Sequence, residues 1–288
     1  MYAKIGPSEI YFDVDGMGLV PDEDRMVERP VLFLLHGGPG ADHSGFKPQM
    51  SELRDVAQLV YFDHRGSGRS KPADPETYTL DQNIDDVDAL REYLGLDRIS
   101  ILGSSYGGMV AQGYAIRYAD RVANLILVAT APSYRFMDDA RRIVRERGSD
   151  DQIRVCQWLW DGAFSSQEQL DEYYKLIGPM YSVAFDAEKF AQGCRRGICN
   201  FEQLNRGFAG FLRTFDFTDE LPGITCPTLV MGGAHDWICP PDHSRFIAEK
   251  IPRAQLKIFD RSSHFIAQDE PEAVFAAVRG VLTDANPS

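Results

Sequence analysis

ISILGSSYGGMVAQGYAIRY, residues 99–118, decides how the rest of the chain is read. Its first six residues, ISILGS, carry Ile99, Ile101 and Leu102 in the short β-rich pattern of a buried strand. A helix is expected from about 106 to 119. Between the two, Gly103-Ser104-Ser105-Tyr106-Gly107 fits G-x-S-x-G in the strand–turn–helix setting that this motif requires. A turn that sharp strains its central residue and lifts the hydroxyl clear at the carboxyl end of the sheet. Glycines two places before and after it leave room where the strand and helix backbones nearly touch. Ser105 is therefore the candidate nucleophile, and Ser104 lies one place out of register with the flanking glycines.

Outward from this turn, short β-rich runs alternate with amphipathic stretches. Strands are expected at 10–14, 31–36, 58–63, 123–130, 227–233 and 255–260. Helices are expected at 44–55, 80–95, 242–250 and 271–282. This is the α/β class, a mainly parallel sheet flanked by helices. The alternation stops from about 133 to 219, where the sequence turns helical and irregular. The chain thus divides into a core, 1–132 and 220–288, and a mainly helical cap, 133–219. The cap holds 15 of the 32 Phe, Tyr and Trp residues, which as a group suggest an apolar ceiling over a pocket. The tail TDANPS (283–288) reads as frayed.

A serine hydroxyl is a weak nucleophile and needs a base. In this architecture the order along the chain is Ser, then Asp or Glu, then His, the last two on loops after late strands. His264 follows the strand at 255–260 and is the candidate base; His243 falls in a helix start and reads as surface-exposed, and His235 as a loop residue. Asp236, in the loop after PTLVMGG, is the candidate acid, with Asp242 and Asp260 as alternatives. Gly37 and Gly38, in HGGPG after the strand VLFLL, would let backbone N–H groups approach a developing oxyanion, with the N–H of Tyr106 as second donor. A second Gly-rich loop, DHRGSGRS (63–70), reads as tight turns with Arg65 bonded to nearby carbonyls. It lacks the spacing of a phosphate cradle. Cys239, three residues after Asp236, is expected to admit a bulky thiol reagent that would displace the acid's loop.

Composition narrows the function. A formal charge of −13 argues against nucleic acid or an anionic membrane surface as partner. The hydrophobic share, 44%, is enough for a sizeable core. Five cysteines with no C-x-x-C spacing indicate neither a disulfide framework nor a zinc ribbon, and the histidines show no paired ligand spacing. No cofactor or metal is expected. The start MYAKIGPSEIYFDVDG has no signal-peptide pattern, and no apolar run approaches the ~18 residues of a membrane helix. The expectation is a cytoplasmic enzyme acting on a small molecule or short peptide, its oligomeric state open.

With HGGPG, DHRGSGRS, GSSYGG and GAHDWICP in this order, the chain resembles the proline iminopeptidase (prolyl aminopeptidase) family of α/β-hydrolases over nearly all of its length outside the cap. The resemblance implies an α/β-hydrolase fold and a serine peptidase that removes an N-terminal residue, often proline, from short peptides, amides or esters. It places the family's nucleophile, acid and base on Ser105, Asp236 and His264. It also implies glutamates, largely from the cap, that bind the substrate's free amine; Glu202 in NFEQLNRGF is the candidate. Ala234 departs from the charged residue common two places before the acid. Two other readings stand beside this one: a carboxylesterase or lactonase with an amine-blind pocket, and a non-catalytic binding protein on the same fold.

Overall fold

A computed structural model describes residues 1–284. The chain opens with two antiparallel hairpins, β1 (Tyr2–Ile5) with β2 (Ser8–Asp15) and β3 (Leu19–Asp22) with β4 (Arg25–Glu28). Then come β5 (Val31–Leu35), β6 (Gln58–Phe62), α1 (Leu80–Tyr93), β7 (Ile99–Ser104), α2 (Tyr106–Arg117) and β8 (Val122–Val128). Five helices follow without a strand: α3 (Phe136–Arg147), α4 (Asp150–Asp161), α5 (Gln167–Tyr181), α6 (Ala187–Arg196) and α7 (Phe201–Ala209). The alternation resumes with β9 (Thr228–Gly233), α8 (Pro241–Lys250), β10 (Ala254–Phe259), α9 (Ile266–Asp269) and α10 (Pro271–Asp284).

Eight strands form one sheet in the order β1-β2-β6-β5-β7-β8-β9-β10. From β6 to β10 every pairing is parallel, so these strands all end on the same edge. The order reverses around β5, where β6 lies on one side and β7 on the other. Open α/β sheets place their crevices at such a reversal, beyond the carboxyl ends of the strands. Successive side chains of β5 feed opposite faces: Phe33 and Leu35 enter one apolar cluster, Leu32 and Leu34 the other. All four are fully buried. Burial stabilises each by roughly 1.5–3 kcal/mol.

Three expectations are corrected. The helix expected at 44–55 is two 3₁₀ turns, His43–Phe46 and Gln49–Asp55. Pro48 has no N–H, and Lys47 before it is extended (φ −98°, ψ 140°), so the helix cannot run through. The short strands β1, β3 and β4 were not foreseen, because Gly6-Pro7 reads locally as loop and the second hairpin lacks an apolar alternation. The last helix runs through Asp284, past the expected start of fraying; the rest of that tail lies outside the described residues.

The helical block between β8 and β9 is tied at both ends and along its far side. Its ends meet in a bridge between Ser133 and Asp216, with the Tyr134 N–H donating to Phe215 O at 2.9 Å. Its α6–α7 connection and the first turn of α7 rest on the two Gly-rich loops. The Asn200 N–H donates to Gly40 O (2.7 Å), Asn200 Nδ2 to Gly66 O (3.3 Å) and Gln203 Nε2 to Arg65 O (2.9 Å). The Ile198 N–H donates to buried Asp42 at 3.0 Å. No helix among the described residues is long and apolar enough to cross a membrane.

Candidate active site

Ser105 has φ 54° and ψ −119°, a backbone conformation that costs a non-glycine residue of order 1–3 kcal/mol. Local bonds hold it there. Its N–H donates to Val128 O (2.9 Å), and its carbonyl accepts from the Thr130 hydroxyl (2.7 Å) and the Gly108 N–H (2.9 Å). The glycines two places either side are required by contact. A Cβ on Gly107 would strike the Leu35 carbonyl oxygen and lie 2.7 Å from His36 O. One on Gly103 would lie 2.6 Å from the Gly107 carbonyl carbon. Ser104, by contrast, is the last residue of β7, in register with Val128.

Asp236 follows β9 and His264 follows β10, on the same edge as Ser105. Close approach of the two loops fixes their spacing: the Ala234 N–H donates to Phe259 O and the His235 N–H to Ser262 O, each at 3.0 Å. His264 Nδ1 lies 2.7 Å from Asp236 Oδ2, both side chains buried. The other carboxylate oxygen accepts the N–H groups of Ile238 (2.9 Å) and Cys239 (3.0 Å). An ionised carboxylate only accepts, so the ring carries its proton on Nδ1 and leaves Nε2 free to take another. The alternatives do not reach the imidazole. Asp242 is exposed beside Arg245, and Asp260 is exposed at the end of β10.

Gly37 packs against the serine: a Cβ on it would lie 3.2 Å from Ser105 Cβ and 3.8 Å from Ser105 Oγ. Gly38 has φ 125°. As the first residue of α2, Tyr106 has an N–H with no acceptor within the helix. His36 gives this loop an order that the sequence reading missed. Its Nδ1 lies 2.7 Å from Gly37 O, and its Nε2 accepts the His64 N–H at 3.1 Å. The ring is therefore neutral, with its proton on Nδ1 and donated to Gly37 O. Carbonyl and N–H point oppositely across a trans peptide, so holding Gly37 O toward the imidazole turns the Gly38 N–H away from it. Burial pushes the pKa of His36 down, against the pull of Asp63.

Several expectations change here. Among the described residues Arg65 bonds no carbonyl; its guanidinium grips Asp86 through Nε (2.9 Å) and Nη2 (2.5 Å) and donates to the Ser8 hydroxyl. His243 is half-buried, not surface-exposed, with Nε2 3.1 Å from Asp139 of α3. Cys239 is buried rather than open to a bulky thiol reagent, and burial and the neighbouring Asp236 push its thiol well above the ordinary range. Glu202 stands exposed in the first turn of α7, on a surface depression lined by Pro75, Tyr78, Asn205 and Arg206. The structure does not bring it to Ser105, Asp236 or His264.

The helical block meets the site through aromatic rings. Tyr181, the last residue of α5, lies 5.5 Å between ring centres from His264, 5.4 Å from Trp237, and is stacked on Phe265 at 4.9 Å. Its hydroxyl is 3.0 Å from that of Tyr173. None of the Asp and Glu residues at 133–219 is buried. Elsewhere among the described residues the buried carboxylates are Asp42, Asp63, Asp86 and Asp236, and each is already engaged by protein donors.

Comparison with known proteins agrees with this architecture. The family described as "alpha/beta hydrolase fold" matches residues 30–271. The chain belongs to that family. This alpha/beta hydrolase is 36% identical to "Proline iminopeptidase PfmaB" of Pestalotiopsis fici over 88% of its own length and 92% of the relative's. Among solved structures it resembles "Proline iminopeptidase" of Mycobacterium smegmatis, with TM-score 0.77, 22% identity, and 99% and 98% of the two chains covered. It also resembles an esterase of Exiguobacterium antarcticum, with TM-score 0.75, 23% identity and 96% of each chain covered. The fold is therefore shared by peptidases and esterases alike.

Proposed function

We propose that this alpha/beta hydrolase cleaves a short amide or ester through an acyl-enzyme on Ser105 and is a proline-iminopeptidase-like aminopeptidase. The observation that carries the chemistry is the buried 2.7 Å pairing of His264 with Asp236 on the strand edge that also holds the strained Ser105. In this reading His264 Nε2 takes the Ser105 hydroxyl proton as the oxygen attacks the carbonyl carbon. The N–H groups of Gly37 or Gly38 and of Tyr106 hold the negative charge that develops on the carbonyl oxygen. His264 then passes its proton to the leaving amine or alcohol, and water repeats the sequence on the acyl-enzyme. Asp236 holds the ring tautomer throughout. The kinship with proline iminopeptidases supports the choice of substrate class. Five unpaired cysteines support a reducing, cytoplasmic compartment.

One observation favours a second reading, an esterase or lactonase. A free ammonium beside the scissile carbonyl calls for a buried carboxylate, and no acidic residue of the helical block is buried. The experiment is a matched pair, proline p-nitroanilide against its N-acetyl form, with p-nitrophenyl esters alongside. A buried charge partner contributes on the order of 2–5 kcal/mol, so the aminopeptidase reading expects N-acetylation to lower kcat/KM roughly 30-fold or more. Equal rates for the pair, with faster esters, would transfer the enzyme to the second reading. Ser105→Ala should abolish both turnover and labelling by a fluorophosphonate; labelling that survives in this variant would remove the nucleophile role from Ser105.

A further inference from the structure

Asp269 ends the one-turn helix α9, five residues after His264, and neither the motif nor the proposed mechanism uses it. Its half-buried carboxylate collects four donors from two parts of the chain. Oδ1 accepts from the Ser182 hydroxyl (2.5 Å) and the Ala184 N–H (3.0 Å). Oδ2 accepts from the Val183 N–H (3.1 Å) and the Ser263 N–H (2.9 Å). Three donors belong to the segment just after α5, in the helical block. The fourth is the residue preceding His264.

The same stretch of the block holds His264 from both sides. Met180 O accepts from the Ser263 hydroxyl at 2.6 Å, and Tyr181 O accepts from the Phe265 N–H at 2.8 Å. Residues 263 and 265 flank the base, and the Tyr181 ring lies against the imidazole between them. A carboxylate shared between two segments links their positions. If the 180–184 segment lifts, Asp269 loses three of its four donors and the 263–265 loop loses its two direct bonds to Met180 O and Tyr181 O.

We propose that Asp269 is a positioning residue that clasps residues 182–184 to the loop carrying His264, so that the base is held in place only while the helical block is seated. The inference rests on the role proposed above for His264 in its kinetic readout alone. Its structural readout is independent of any activity.

The test compares the parent with Asp269→Asn, Ser182→Ala and Glu270→Gln. Glu270 accepts from the Ser262 hydroxyl (2.7 Å) and the Arg261 N–H (3.1 Å), so it anchors the same loop without touching the block. Backbone hydrogen exchange should quicken at 182–184 and at 262–265 together in Asp269→Asn, and in the same direction in Ser182→Ala, which keeps the test alive if the first variant folds poorly. In Glu270→Gln it should quicken near 262 alone. With a p-nitrophenyl ester, Asp269→Asn should lower kcat about 10- to 100-fold with KM little changed, the scale of a misplacement of order 1 Å. Quickened exchange at 182–184 with no change at 262–265 overturns the clasp. So does a kcat loss in Glu270→Gln equal to that in Asp269→Asn, because loop anchoring alone would then account for it. A parent enzyme that turns over no substrate and resists fluorophosphonate would sink the proposed function, and the exchange pattern would still decide the clasp.

Discussion

Asp236 spends one oxygen on His264 and the other on two backbone N–H groups, which makes its charge and its orientation inseparable. Asp236→Asn removes the charge and presents an amide N–H to the ring, which would force the imidazole into the other tautomer. Loss of kcat by roughly 10⁴-fold is expected, with the fold kept. Asp260→Asn, at an exposed position, should leave kcat close to the parent's. The reverse order in steady-state assays would move the acid role to Asp260. Residues of this kind are legible because strand ends fix where their loops emerge, so chain order alone points to Ser105, Asp236 and His264. His36 and Asp269 are not legible in that way. Asp269 meets Ser182 across 87 positions, and His36 acts through the peptide beside it, so neither leaves a local pattern.

At the scale of elements, the crossing of β7, α2 and the end of β5 is among the tightest demands that the fold makes. Gly107→Ala would drive a methyl group into the Leu35 carbonyl, where backbone on both sides leaves nothing free to move. Overpacking of this sort costs about 1–3 kcal/mol, which for a chain of this length lowers Tm by roughly 2–10 °C. Thermal unfolding of the variant with Tm at or above the parent's would show that the crossing has slack. This crossing was readable because glycine spacing encodes backbone distance directly. The segment at 44–55 was misread for the opposite reason: its apolar spacing suits a helix, and the single residue Pro48 overrides it. The five helices between β8 and β9 could be expected as helices. What they present to the site could not, because burial of a carboxylate or a ring depends on partners distant in sequence.

At the scale of the molecule, three buried or half-buried histidines shape acid stability. Burial depresses the pKa of His36, His64 and His243, in His243 against the pull of Asp139. In the unfolded chain they take up protons near pH 6.5; in the fold they resist. Their contribution is therefore complete above about pH 6.5 and is lost as pH falls from there toward their depressed values, at about 1.4 kcal/mol per unit of depression for each. Asp63 acts in a lower window. Burial alone would raise its pKa, yet the hydrogen bonds from His43 and from the Arg69 N–H hold it below the usual carboxylate value. Its contribution is lost only as pH falls through that depressed value. Urea unfolding at pH 7.5 and 5.0 should show the midpoint already reduced at pH 5.0, and an unchanged midpoint would contradict the histidine account. The seam between the core and its helical block has a different consequence. Three of the four bonds from the α6–α7 connection and the first turn of α7 land on main-chain oxygens of Gly40, Arg65 and Gly66, and a Cβ on Gly40 or Gly66 would strike Asn200 or Gln203 themselves. On the block's side, they ask for little beyond an Asn-x-x-Gln pair. A transplanted block bearing that pair would meet the same three acceptors at this seam, provided that the core kept both glycines.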